Sequence, residues 1–419
     1  MKWKMRRWTM ISMICLMASS MTTPALVTIP KPRSEEWWLR QWQIEEKVWP
    51  ITRGRGVTTA LLDSGVNAQL PDLDGNILPG GDTLGGGTNG LKDLGARQHG
   101  TNLAGLIAAH GQGAGMVGVA PESRILSIRM NNETNGSGSA ENMAKAIRSA
   151  VQQGAKVINI SLAAPSDTGL VCDPQRQAAV DEALQRDVIV VAGAGNNIHD
   201  RNAPLQPAAC PGVLAVGSVD KKGRPDHYSQ PQSYVAVAAP GVEITSLRAE
   251  SFAPKGYIEK DLRGTSLATA LVSGVIALIR SKYPQMPARE VLRRITATAN
   301  DVAPKGRDIK TGFGAVRPYE ALTAQISAST PNPVYEAWER SRRERALHPL
   351  PTRTQEVTPD VVPLRTQMIQ IGMAVGALLF VGIGGAVVVV VITRRRARSR
   401  PSPFHMQSQS ETEKTKETT

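Results

Sequence analysis

Residues 264–283 read GTSLATALVSGVIALIRSKY. Ala, Leu, Val, Ile, Gly and small hydroxyl residues fill the run, and Pro284 stops it. A helix that is apolar on every side belongs inside a fold, and proline cannot continue it. The stretch therefore predicts one long buried helix, with Pro287 opening another through Ala299. Ser266 stands at the start of the long helix, behind Gly264. Helix N-termini carry unpaired N–H groups and favour negative charge, and glycine lets another backbone approach closely. The position suits a nucleophile with part of an oxyanion hole. It also suits an ordinary N-cap serine.

Upstream, short apolar runs alternate with helical patterns. Val57–Leu62, Arg124–Ile128, Val157–Ile160, Val188–Val191 and Val213–Val219 read as strands buried on both faces. Asn102–His110, Glu141–Gln153 and Arg176–Gln185 read as helices between them. This alternation predicts an α/β fold, a mostly parallel sheet covered by helices. Residues 82–95 are Gly-rich and polar, a loop at the rim of whatever site follows them.

Three more polar residues sit where such a sheet places chemistry. Asp63 follows the strand Val57–Leu62. It could orient an imidazole, or be a turn aspartate before Gly65. His99 lies in Gln98-His99-Gly100-Thr101, before an Ala/Gly-rich helix. It could take and return a serine proton, or sit on the surface. Of the six histidines, His110, His199, His227, His348 and His405 lack this context. Asn196 ends Val191-Ala192-Gly193-Ala194-Gly195-Asn196, where its amide could donate to an oxyanion or simply close a turn.

Taken together, the order Asp, His, Asn, Ser, each at the end of an element, resembles the subtilisin-type serine proteases over roughly residues 51–322. The resemblance implies a subtilisin-like three-layer fold and endopeptidase cleavage through an acyl-enzyme. Asp63, His99 and Ser266 would be the triad, and Asn196 with the Ser266 N–H the oxyanion hole. Ser161, Leu162 and Ala163 would line one side of the substrate cleft, and Ala192, Gly193 and Ala194 the other. Two departures stand out. Ala270 occupies a position that is usually proline, and Ala163 one that is often glycine, which would narrow the first specificity pocket. No cluster of carboxylates is spaced for calcium, and the chemistry calls for no cofactor or metal.

The remaining chain sets the location. Net charge is +13, but nine of the basic residues fall in two groups, Lys2, Lys4, Arg6, Arg7 and Arg394, Arg395, Arg396, Arg398, Arg400. Both flank apolar segments, which is a membrane-orienting pattern and argues against nucleic acid as a partner. Residues 1–25 read as a signal peptide, with Thr23-Pro24-Ala25 a cleavage site; an uncleaved anchor is the alternative. Residues 26–50 form a Trp-rich arm, with Trp38, Trp42 and Trp49 on one helical stripe. The arm either packs on residues 51–322 or acts as a propeptide, and its shortness favours packing. Residues 323–367 read as an extended Pro-rich linker.

Thr366 to Thr393 carries no charge. Its core, residues 368–392, would span about 38 Å as a helix and cross a bilayer. The basic and polar tail 393–419 would then be cytoplasmic and the catalytic domain extracytoplasmic. Cys15 is lost with the signal. Cys172 and Cys210 remain, either as a disulfide suited to an oxidising compartment or as two buried thiols. This layout resembles the mycosins, membrane-anchored subtilases of type VII secretion systems in actinobacteria. That likeness implies a protein or peptide substrate, a membrane location and a type VII secretion membrane complex as partner.

Overall fold

A computed structural model describes residues 28–131, 139–165, 170–196, 203–250, 253–302 and 305–348. The expected signal peptide, the span at 368–392 and the tail lie outside the described residues.

In chain order the strands are β1 (Thr58–Asp63), β2 (Ile77–Asp82), β3 (Arg124–Arg129), β4 (Val157–Ile160), β5 (Ala164–Pro165), β6 (Ile189–Gly193), β7 (Leu205–Gln206), β8 (Leu214–Val219), β9 (Val235–Pro240), β10 (Ile244–Glu250) and β11 (Ala253–Leu262). The helices are α1 (Trp37–Gln41), α2 (His99–Ala108), α3 (Ala140–Gln152), α4 (Pro174–Gln185), α5 (Thr265–Lys282), α6 (Ala288–Ala297), α7 (Pro318–Thr323) and α8 (Pro333–Leu347). Seven strands pair in the order β2-β3-β1-β4-β6-β8-β9, and each neighbouring pair is parallel. Parallel strands need crossovers, and α2 to α5 supply cover for both faces. α2 packs with α5, and α3 with α4. The five strands expected from apolar runs all form within a residue or two.

From β1 the chain runs to the edge strand β2 and back to β3 on one side, then crosses to β4, β6, β8 and β9 on the other, so the switch point lies between β1 and β4. Ligand crevices in such sheets open beyond the carboxyl ends of the strands there. Asp63 is the last residue of β1 and pairs with Arg129 of β3. Ile160 of β4 pairs with Ala192 of β6, and Ser161 and Gly193 follow directly.

Helix α5 is the core of the molecule, with every residue from Leu267 to Arg280 buried. Among the described residues it is the one helix long and apolar enough to cross a membrane. Its burial beneath the sheet identifies it as a core helix instead. Ala270 continues it without a break.

Several elements differ from the sequence reading. β2, not foreseen as a strand, contains Pro79, Gly80 and Gly81; at a sheet edge they are tolerated. β9 and the antiparallel hairpin β10–β11 were also not foreseen. Part of the expected linker is folded: α8 seats Val334 and Trp338 in the core, and Trp338 Nε1 donates to Asp181 Oδ1 at 2.8 Å. The arm is not one helix. α1 and a five-residue π turn, Ile44–Val48, meet at Gln43, whose φ of 50° breaks the stripe. The arm still packs on the domain, with Trp38 and Trp49 buried and Trp49 Nε1 donating to Val119 O.

Glu36 anchors this arm. It is fully buried, accepting from Val117 N at 2.8 Å and Arg33 N at 2.6 Å. Burial outweighs those donors and pushes its carboxyl up to about 8. A raised carboxyl binds its proton more tightly when folded. The stabilisation is therefore full below the ordinary value of 4.5 and is lost as pH rises through about 8. Between about pH 5 and 8 the melting temperature is expected to fall more steeply than in Glu36→Gln, and the two slopes to converge above that range. Parallel slopes in a calorimetric pH series would rule out this titration.

Cys172 and Cys210 form a disulfide across a sequence separation of 38, with Cα atoms 4.9 Å apart. Loop closure of that size contributes about 4 kcal/mol on the chain-entropy account. It ties the chain entering α4 to the loop before β8.

Candidate active site

Asp63 reaches the crevice because β1 is apolar up to Leu62 and stops at a glycine turn. Its side chain is 1% exposed. Oδ1 accepts from Ser64 N at 2.8 Å and from Ser64 Oγ at 3.2 Å. Gly65 has φ of +101°, and a Cβ there would lie 2.0 Å from Lys92 O, so glycine is required.

His99 opens α2, three residues earlier than the sequence reading placed the helix. Its Nδ1 lies 2.8 Å from Asp63 Oδ1 and 3.0 Å from Oδ2. An imidazole held by a carboxylate at Nδ1 presents Nε2 as the basic nitrogen. The ring is about a quarter exposed, so Asp63 is sealed while the imidazole faces the crevice. Gln98 precedes it in the left-handed region, φ 51°, held by bonds to Ala249 and Asn67. Gly100 admits the β1 turn: a Cβ would sit 2.1 Å from Gly65 O.

Ser266 lies in the first turn of α5, half-buried. Its hydroxyl donates to Ser161 O at 3.1 Å, and Ser161 Oγ donates to Ser266 O at 3.1 Å. This reciprocal pair ties the end of β4 to the start of α5. Ser161 also donates to Asn159 Oδ1, and Asn159 Nδ2 donates to Ser273 Oγ deeper in α5. Gly264 has φ 152° and ψ 158°, a conformation reserved to glycine, and delivers the chain from β11 into the helix.

Asn196 follows β6. Its Oδ1 accepts from Thr265 N at 3.0 Å and Thr265 Oγ1 at 3.2 Å. With the oxygen so engaged, Nδ2 lies beside Gly264, 3.3 Å from where a Cβ would stand. Thr265 therefore orients the amide, a role signalled in the sequence by nothing but its place next to Ser266.

The structure brings Asp63 and His99 into direct contact, and joins Asn196 and Ser161 to the turn that carries Ser266. Leu162 and Ala163 follow β4 with increasing exposure, whereas Ala192, Gly193 and Ala194 are buried at the end of β6. An imidazole held by a buried carboxylate and a serine at a helix N-terminus are the parts that nucleophilic acyl transfer needs. Among the described residues no group of three or more His, Cys, Asp or Glu side chains could hold a metal ion.

Residues 54–314 match the subtilase family. Mycosin-4 of Mycobacterium tuberculosis (strain ATCC 25618 / H37Rv) is 34% identical over 331 residues, 68% of this chain and 68% of that protein. A thermophilic serine proteinase of Bacillus sp. (strain AK1) is 35% identical over 277 residues, 66% of this chain and 64% of that protein, just under two thirds of its length. Among solved structures, MycP1 from the ESX-1 type VII secretion system aligns with a TM-score of 0.63 at 30% identity, over 74% of this chain and 90% of that one. A chain in the periplasmic assembly of the ESX-5 inner membrane complex aligns with a TM-score of 0.60 at 28% identity, over 74% and 88%.

Proposed function

The chain belongs to the subtilase family of serine endopeptidases, and we propose that it cleaves proteins or peptides outside the cytoplasm with Ser266 as nucleophile. The observation that carries this reading is the Asp63–His99 contact at 2.8 Å, in a chain whose helix α5 bears a serine in its first turn. At rest the Ser266 hydroxyl donates to Ser161 O. On attack it turns to donate to His99 Nε2, which takes its proton as the oxygen bonds the substrate carbonyl carbon. Asp63 stabilises the imidazolium and keeps Nδ1 protonated. The oxyanion is held by Ser266 N–H and Asn196 Nδ2. The tetrahedral intermediate collapses when His99 returns the proton to the leaving amine. Water then repeats the sequence on the acyl-enzyme.

Ser161–Ala163 and Ala192–Ala194 flank the substrate backbone in this reading. The test is reaction of the full-length chain with a fluorophosphonate probe, followed by peptide mapping. Labelling of Ser266, lost in His99→Ala, is expected; labelling elsewhere or none refutes the assignment. Asn196→Ala is expected to lower kcat by roughly a hundred- to a thousand-fold with KM nearly unchanged, since the donor acts on charge that develops only in the transition state.

The apolar run 368–392 anchors the protein, with the catalytic domain outside and residues 393–419 in the cytoplasm. The likeness to MycP1 and to a chain of the ESX-5 assembly supports association with a type VII secretion membrane complex. The ESX-5 likeness also supports a second reading, in which the protein chiefly stabilises or caps that complex and proteolysis is secondary. Complementation separates the two. If Ser266→Ala restores secretion to a deletion strain, stabilisation is the essential role; if secretion stays absent, hydrolysis is.

A further inference from the structure

The first turn of α2 receives no cap from its own N-cap residue, Gln98. Its orphan donors are met from elsewhere. Gly100 N donates to Ser64 Oγ at 3.0 Å. Thr101 N and Thr101 Oγ1 donate to Asp93 Oδ2 at 2.8 and 2.7 Å. Ser64 in turn donates to Asp63 Oδ1 through both its N–H and its hydroxyl. Asp93 is fixed by Gly95 N on Oδ1 and by its own N–H to Asn67 Oδ1.

We propose that Ser64 and Asp93 are positioning residues for catalysis: acting as one unit, they lock the helix end that bears His99 to the strand end that bears Asp63. This rests on the triad reading above. An ordinary cap would fix α2 alone, whereas these acceptors come from the β1 turn and the loop before the helix. The Ser64 hydroxyl donates to Asp63 and accepts from the α2 backbone at once, while Asp93 holds the next N–H of the same turn, so the two acceptors fix the helix end together. Burial raises the Asp93 carboxyl above its usual range, with the Asp63 charge adding to it, which fits a closely coupled pair. Loss of either group leaves a buried N–H without an acceptor and lets the helix end shift. Misplacement by about 1 Å at a catalytic group can slow reaction roughly a hundred-fold.

The experiment measures the rate at which a fluorophosphonate probe labels Ser266 in the full-length wild type, Ser64→Ala, Asp93→Asn and the double variant, well below each melting temperature. The proton NMR resonance of His99 Nδ1–H is recorded alongside. Each single change is expected to slow labelling about tenfold and move the resonance, and the double change to slow it little further. If Asp93→Asn does not fold, Thr101→Val removes one Asp93 bond and is expected to slow labelling about threefold with the same spectral shift. Rates within twofold of wild type, an unmoved resonance, or multiplying effects in the double variant overturn the proposal. Failure of the wild type to label at Ser266 sinks the triad reading and this inference with it. Normal wild-type labelling beside unaffected variants sinks this inference alone.

Discussion

Ser266→Ala is expected to lower peptide hydrolysis by roughly a hundred-thousand- to a million-fold, to the level left by binding and the oxyanion donors. The effect is large because the triad acts as one unit, and without an oxygen nucleophile the imidazole has nothing to activate. Stability should scarcely change. The lost hydroxyl makes one half-buried bond, to Ser161 O, worth about 1 kcal/mol. Ser161 keeps its own bonds to Asn159 Oδ1 and to the carbonyl of residue 266. Turnover of a fluorescein-labelled casein, with a thermal melt of the same sample, checks both halves. Turnover within a hundred-fold of wild type would remove Ser266 from the chemistry.

Asp63→Asn is expected to cost about ten-thousand-fold in kcat while changing KM little. The carboxylate can only accept, so it holds the His99 proton on Nδ1 and leaves Nε2 basic. A carboxamide can present N–H to Nδ1 instead, which drives the proton to Nε2 and removes the base. Asp63 is sealed at 1% exposure, so water cannot substitute for it. The variant should also lose one to a few kcal/mol of stability, because its oxygen must still serve Ser64 N. Steady-state kinetics decide the matter. A kcat loss smaller than tenfold would mean that Asp63 does not set the tautomer.

The catalytic candidates were legible because each sits at a break in hydrophobic pattern. Asp63 and Asn196 end apolar strands, and His99 and Ser266 begin apolar helices. A charged or polar side chain at such a break has no packing reason to be there. The sheet was legible for the same reason, since Val-, Ile- and Leu-rich runs of four to seven residues leave little choice. β2 was hidden by Pro79 and two glycines, which cost little on an edge. The β10–β11 hairpin was hidden by its mixed polar composition, which packs only one face. Helix α8 reads as a polar, Arg-rich stretch; its buried residues are Val334 and Trp338, too few for a periodic signal. Ser64 and Asp93 were invisible because serine and aspartate in glycine-rich loops look like any turn residues. Their meaning depends on β1 and α2 meeting, which is a tertiary fact.

The arm shows how local propensity yields to burial. Trp38, Trp42 and Trp49 favour a continuous helix, yet Gln43 adopts φ 50° so that Trp38 and Trp49 can both enter the core. Burying each indole contributes several times the cost of one left-handed residue.

Convergence of the four side chains on one substrate carbon is most directly tested by the crystal structure of a peptidyl boronate complex. The expected adduct has boron bonded to Ser266 Oγ. One boronate oxygen would lie within hydrogen-bonding distance of both Asn196 Nδ2 and Ser266 N, with His99 Nε2 against the other. Boron attached elsewhere, or an oxygen left without the Asn196 amide and the His99 ring, would contradict the shared site.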